Sequence, residues 1–143
     1  MKDNKRLSTE VQTIYSLRRF KNARDPNFVE ALKIYTRTIT PEAHTNTNEI
    51  TYWLDRGYGE FGDEFCVFGF FKEDRVVGFA QLAYFRGERI LFFDYLVLSK
   101  DERAHGEYYA FAGQLQKWVD ASGLEIDYVV AEVSYDCGGS TPS

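Results

Sequence analysis

Nine consecutive residues, Ile90–Leu98 (ILFFDYLVL), are apolar except for one carboxylate, Asp94. A run so apolar reads as a buried strand, here taken over Arg89–Leu98. A polar loop, Ser99–Gly106, leaves it and enters an amphipathic helix. Tyr108, Phe111, Leu115, Trp118 and Val119 of that helix recur at the spacing of one face. Gly123 is placed to close the helix, and Tyr128–Val133 reads as a further strand. Strand, helix and strand in this order predict a parallel pair joined by a crossover.

Upstream, Ile14–Phe20 reads as a short strand carrying Arg18 and Arg19. Asp25-Pro26 opens a helix, because Asp accepts a bond from an orphan N–H and Pro fits the first helical position. Phe28, Leu32, Tyr35 and Ile39 follow at helical spacing, and Pro41 ends the run. Pro41–Thr47 is a connection. Asn48–Arg56 is a second helix with Ile50, Trp53 and Leu54 inward and Gly57 as its stop. Tyr58–Asp63 is a loop. The period then changes. Phe65–Phe71 and Arg75–Phe85 read as a hairpin around Lys72, Glu73 and Asp74. A second turn at Arg86, Gly87 and Glu88 leads into the buried strand. The predicted fold is α/β (α+β): one mixed, mostly antiparallel sheet flanked by helices on both faces. Residues 1–133 form one domain and residues 134–143, rich in Gly, Ser, Thr and Pro, form a flexible tail.

The passage from Leu98 into the helix is where an anion can bind. The first N–H groups of a helix lack intrahelical acceptors, and the dipole there favours negative charge. Gly106 lets a backbone approach a ligand closely. Arg103-Ala104-His105-Gly106-Glu107-Tyr108 is similar to the pyrophosphate motif Q/R-x-x-G-x-G/A of the GNAT N-acetyltransferases, with Arg103 and Gly106 matching and Tyr108 replacing the final Gly/Ala. The order of elements from Ile14 to Val133 resembles that family too.

The resemblance implies a function and a set of residues. Acetyl-CoA, as co-substrate, would lie where Phe92–Leu98 and Tyr128–Val133 splay apart. The segment Leu96, Val97 and Leu98 would meet it, with the backbone of Leu96 and Leu98 on the thioester and pantetheine arm. Arg103, Ala104, His105, Gly106, Glu107 and Tyr108 would hold the pyrophosphate. A small-molecule or peptide amine would attack the thioester directly, after losing a proton to a carboxylate or a water chain. The alternative is a non-catalytic CoA-binding or protein-interaction domain on the same fold, suggested by the bulk of Tyr108. The family fold continues past its last parallel strand with a helix and two strands. Only Ser134–Ser143 follow Val133 here, so the chain reads as C-terminally truncated, with an exposed strand edge that invites a homodimer.

Two carboxylates are catalytic candidates. Asp94 is either a general base in the cleft or a structural charge, paired with Arg18 or Arg19 or facing solvent at an edge. Glu132 would bind the amine or relay its proton; otherwise it is a solvent-facing strand residue. His105 either contacts a phosphate or is an exposed loop histidine. His44 and Glu49 fall where the family shapes its acceptor site, although Glu49 also suits the first turn of a helix. Phe92, Phe93, Tyr95, Tyr108, Tyr109, Phe111 and Trp118 are expected in the core.

Composition sets the outer limits. A net charge of −5 gives no basic face for nucleic acid and suits a cationic amine. Cys66 and Cys137 have no CxxC or histidine spacing, which argues against a zinc site and for free thiols in a reducing compartment. The first ten residues are polar and no apolar run reaches membrane-spanning length. A cytoplasmic protein without metal, membrane or nucleic-acid partner is expected.

Overall fold

The computed structural model describes residues 13–39, 46–56, 64–102 and 106–131. Its elements are β1 (Tyr15–Arg19), α1 (Pro26–Thr38), α2 (Thr47–Arg56), β2 (Glu64–Lys72), β3 (Arg75–Phe85), β4 (Ile90–Leu98), a 3-10 turn (Lys100–Glu102), α3 (Glu107–Ser122) and β5 (Tyr128–Ala131). The five strands form one sheet in the order β1-β2-β3-β4-β5. The first three pairings are antiparallel and β4–β5 is parallel, with α3 as the crossover. The mixed, mostly antiparallel sheet and its three helices match the predicted architecture.

The helix starts follow their local chemistry. Asp25 caps α1 by accepting from the Asn27 N–H at 2.9 Å, and Pro26 begins the helix. The buried stripe of α1 is Phe28, Ala31, Ile34 and Tyr35, and Leu32 and Ile39 pack half-buried against the same core. In α2, Ile50 and Leu54 are buried, while Trp53 lies at the surface against Tyr52.

Two cores sandwich the sheet. On one face α1 and α2 cover Val67, Phe71, Phe79 and Val97, with Tyr35 packed on Phe79 and Tyr95 at 5.0 and 4.9 Å between ring centroids. On the other face α3 covers Phe68, Phe70, Leu82, Leu91 and Leu98. Phe111 stacks on Phe70 with centroids 4.0 Å apart, and Trp118 meets Phe68 edge-on. Full burial of a ring such as Phe111 contributes roughly 1.5–3 kcal/mol.

The α3 face departs from its predicted stripe. Glu107, Phe111 and Leu115 are buried and Trp118 and Val119 half-buried, whereas Tyr108 is exposed and Tyr109 is 85% exposed. Positions 107, 111, 115 and 118 form one stripe at 3.6-residue spacing, and Tyr108 sits one step around the helix from it. Tyr108 and Tyr109 are therefore surface residues and not core ones.

Close approach of α3 depends on Gly78 in β3. A Cβ there would lie 2.9 Å from both Leu98 Cδ2 and the Val97 carbonyl oxygen, and 3.1 Å from Phe111 Cε2. The backbone oxygen cannot yield as a flexible side chain would. Gly78→Ala is expected to cost about 1–3 kcal/mol through overpacking, read as a lower urea midpoint with an unchanged m-value.

Candidate active site along strand β4

Strand β4 is irregular at its one charged residue. In register with β3, Gln81 faces Tyr95 and Leu82 faces Phe93, so Asp94 is the extra residue of a β-bulge. The bulge resets the two-residue period. Phe93, Leu96 and Leu98 join the core under α3, while Tyr95 and Val97 join the core under α1 and α2. Asp94 reaches the buried Gln81 on the neighbouring strand, whose Nε2 donates to Asp94 Oδ2 at 3.1 Å. Arg18 and Arg19 are not its partners in this contact. They sit on β1, with Arg18 stacked over the Phe71 ring and Arg19 paired to Glu64.

The described pairing of β4 with β5 runs from Ile90–Tyr128 to Phe93–Ala131, and the residues after Ala131 lie outside the described ones. The ladder on the other side fixes which backbone groups of β4 face away from β3. Ser99 donates its N–H to the Val77 carbonyl at 2.8 Å. Antiparallel ladders alternate, so Val97 and Tyr95 also direct their backbone groups toward β3, and those of Leu96 and Leu98 turn to the opposite edge. Val97 thus has its backbone toward β3 and its side chain in the core.

The loop after β4 ends at Gly106, the N-cap of α3, with φ 84° and no side-chain cap bond. This left-handed conformation suits glycine, and no atom of the described residues lies within 4 Å of where a Cβ would stand. The Gly106 carbonyl accepts from the Tyr109 and Ala110 amides at 3.1 and 3.3 Å. Glu107, at the first helical position, points inward: it is 2% exposed and accepts from the Tyr15 hydroxyl at 2.9 Å. Tyr15 stacks on Phe70, and its carbonyl accepts from Gln114 Nε2 at 3.2 Å. Strand β1 therefore holds α3 at its first residue and again at Gln114, midway along the helix. Arg103, Ala104, His105 and Glu132, with His44 and Cys137, lie outside the described residues. Glu49 is exposed in the first turn of α2.

Sequence reasoning does not single out Gln81, Tyr15 or the side chain of Glu107. For Gln81 a signal exists: it is the only amide or charged side chain in Val76–Phe85. Among the described residues no group of three or more His, Cys, Asp or Glu side chains is arranged to hold a metal ion. No helix described is long and apolar enough to cross a membrane. A separate cavity of about 280 Å³ opens at the β1–β2 end of the sheet, lined by Arg19, Glu64, Trp118, Ala121, Ser122 and Leu124.

No family model matches the sequence, and no curated protein does. Solved structures do match the fold. An aminoglycoside acetyltransferase from an uncultured soil metagenomic sample, in complex with sisomicin, superposes with a TM-score of 0.60 at 11% identity, covering 86% of this chain and 81% of that one. A GNAT family acetyltransferase from Staphylococcus aureus gives 0.60 at 16% identity, covering 90% of this chain and 93% of that one. An aminoglycoside N-acetyltransferase in complex with CoA gives 0.57 at 15% identity, covering 88% and 81%. The class that this sheet and its one parallel pair match is that of acyltransferase folds. More narrowly, it is the fold of the GNAT acetyltransferases.

Two outcomes follow from the buried polar groups. Tyr15→Phe removes the hydroxyl donor from the buried Glu107 carboxyl and is expected to cost about 1–3 kcal/mol in urea unfolding. The second concerns Cys66, whose thiol is pushed up from 9.0 to about 11, chiefly by burial; Arg19 opposes the shift and Glu64 adds to it. The unfolded thiol ionises first as pH rises, so this group's contribution to stability is whole below pH 9 and lost by about pH 11. Wild type should lose on the order of 2 kcal/mol more than Cys66→Ala across that window, measured as the difference between their urea midpoints.

Proposed function

We propose that this chain is an acetyl-CoA-dependent N-acetyltransferase acting on a small-molecule or peptide amine. The observation that carries the reading is the bulge in β4 at the strand's one carboxylate, half-buried beside the last described pair with β5. Acetyl-CoA fits the groups present. The backbone of Leu96 and Leu98 offers donors and acceptors along the β4 edge, as an extended pantetheine arm requires. Gly106 leaves open space at the start of α3, whose first amides and dipole favour the pyrophosphate. Arg103, Ala104, His105, Glu107 and Tyr108 complete that loop in the proposal.

The chemistry asked of the chain is modest. An alkylammonium has a pKa near ~10 and cannot attack until it loses a proton. Asp94 is the group proposed to take it, with Glu132 proposed to bind the amine or relay the proton. The Leu96 N–H is positioned as a donor to the negative charge that develops on the thioester oxygen. The acidic chain, with net charge −5, attracts cationic acceptors. Structural neighbours that act on aminoglycosides support polycationic amines as the first substrates to try.

Tyr108 supports a second reading, a CoA-binding domain that transfers nothing. Its ring occupies the first turn of α3, where the motif has Gly or Ala. Calorimetry with acetyl-CoA and a thiol-release assay over aminoglycosides and polyamines separate the two readings. Binding together with CoA release on adding an amine supports the enzyme. Binding without release supports the second reading, and no binding at millimolar acetyl-CoA removes both. In the enzyme, Asp94→Asn should lower kcat by about 10²–10⁴-fold while leaving acetyl-CoA affinity unchanged.

A further inference from the structure

We propose that Gln81 is a positioning residue for Asp94: its side-chain amide holds the carboxylate in the orientation in which it receives the proton of the acceptor amine. The inference rests on the functional reading above and extends it to a residue on the neighbouring strand.

Gln81 occupies a core position. It is 4% exposed, lies in β3 opposite Tyr95, and has apolar residues on either side of it in the strand, Phe79–Ala80 and Leu82–Ala83. A carboxylate only accepts hydrogen bonds, so the amide must present its NH2 to Asp94. The 3.1 Å contact from Nε2 to Oδ2 is that bond. The same orientation turns the amide carbonyl away, and Gln81 Oε1 is buried without a hydrogen-bond partner among the described residues. A stranded buried acceptor is costly, and an apolar side chain of the same length would avoid the cost. What the glutamine supplies instead is a donor to the ionised form of Asp94, the form a base needs.

The bulge gives that donor a purpose. Asp94 is the extra residue of β4, between Phe93 and Tyr95, which both pair with β3. Gln81 is held by regular pairing on both sides, to Val67 on β2 and Tyr95 on β4. Its amide transfers that fixity to Asp94. The other titratable groups on this face among the described residues are Tyr95 beside Asp94 and Tyr35 from α1, whose rings meet at 4.9 Å, and Arg18 on β1, stacked over Phe71. The charged residues of α1 and α2 (Glu30, Lys33, Arg37, Glu49, Asp55 and Arg56) all lie at exposed positions.

The test is a carbon-13 titration of the Asp94 carboxylate in wild type, Gln81→Met and Gln81→Glu, alongside the pH dependence of kcat/KM for acetyl transfer. Gln81→Met removes the donor at nearly constant shape. Its Asp94 midpoint should rise by about one pH unit, and the acidic limb of the rate profile should move with it. Its kcat should fall about tenfold with KM for acetyl-CoA unchanged, a split that loss of fold would not give. Gln81→Glu places a second carboxyl beside the first and should raise the midpoint further. An Asp94 midpoint unmoved in both variants overturns the inference whatever the activity. A midpoint that moves without the rate profile also overturns it, because Asp94 is then not the base. A wild-type chain that binds acetyl-CoA but acetylates no amine fails at the functional reading, and this inference falls with it.

Discussion

Strand β4 is packed by a core on each face and must also carry one charge. An apolar strand under two helical layers has no solvated face on which to place a carboxylate, and a strict two-residue period continued from Leu91 and Phe93 would put Asp94 with Leu96 and Leu98 under α1 and α2. The bulge removes the conflict. By adding one residue between Phe93 and Tyr95, it returns Leu96 and Leu98 to the α3 core and brings Asp94 to Gln81. The irregularity that accommodates the charge also bends the strand, and it falls beside the last described pair with β5.

The β4–β5 pairing begins beside the turn between β3 and β4. Arg89 has φ 57°, and its carbonyl accepts from the Asp127 and Tyr128 amides at 2.7 and 3.3 Å. Its guanidinium pairs with Asp127 at 3.1 Å and Glu125 at 3.4 Å, and Asp127 is the main cause that raises its pKa. The Tyr84 hydroxyl adds a 2.6 Å bond to the Glu125 carbonyl. These contacts fasten the start of β5 to β4. The exposed ion pairs add specificity of position more than stability. The buried-side Tyr84 bond and the backbone bonds hold the junction.

Much of this was legible in the sequence. The order of elements, the hairpins and the parallel crossover followed from the switch of apolar period after Gly57 and from Asp25-Pro26, Gly106 and Gly123 at helix ends. Three features were not. The bulge has no local signature beyond a lone Asp in an apolar run. The inward face of α3 was misplaced by one position, because Tyr108 looks like a core residue and Glu107 does not. Burial of Glu107 depends on Tyr15, ninety-two residues earlier, and no periodicity encodes that partner. Gln81 is a similar case: its meaning lies in the strand beside it, and only register supplies that.

The two unforeseen polar contacts serve opposite ends of the same proposed site. Tyr15 and Gln114 tie β1 to α3, which sets where the helix begins and hence where its first amides point. Gln81 ties β3 to Asp94, which sets where the carboxylate points. Between them runs the edge of β4, with the backbone of Leu96 and Leu98 turned outward. Each contact joins groups far apart in sequence and largely withdrawn from water, where a hydrogen bond is stronger and its loss more costly than at the surface. The apolar layers fix the distance between the ends, and the polar contacts fix direction at each one. A ligand spanning from the α3 N-terminus to Asp94 therefore meets a frame already held in place, so little of its binding energy is spent on ordering the protein.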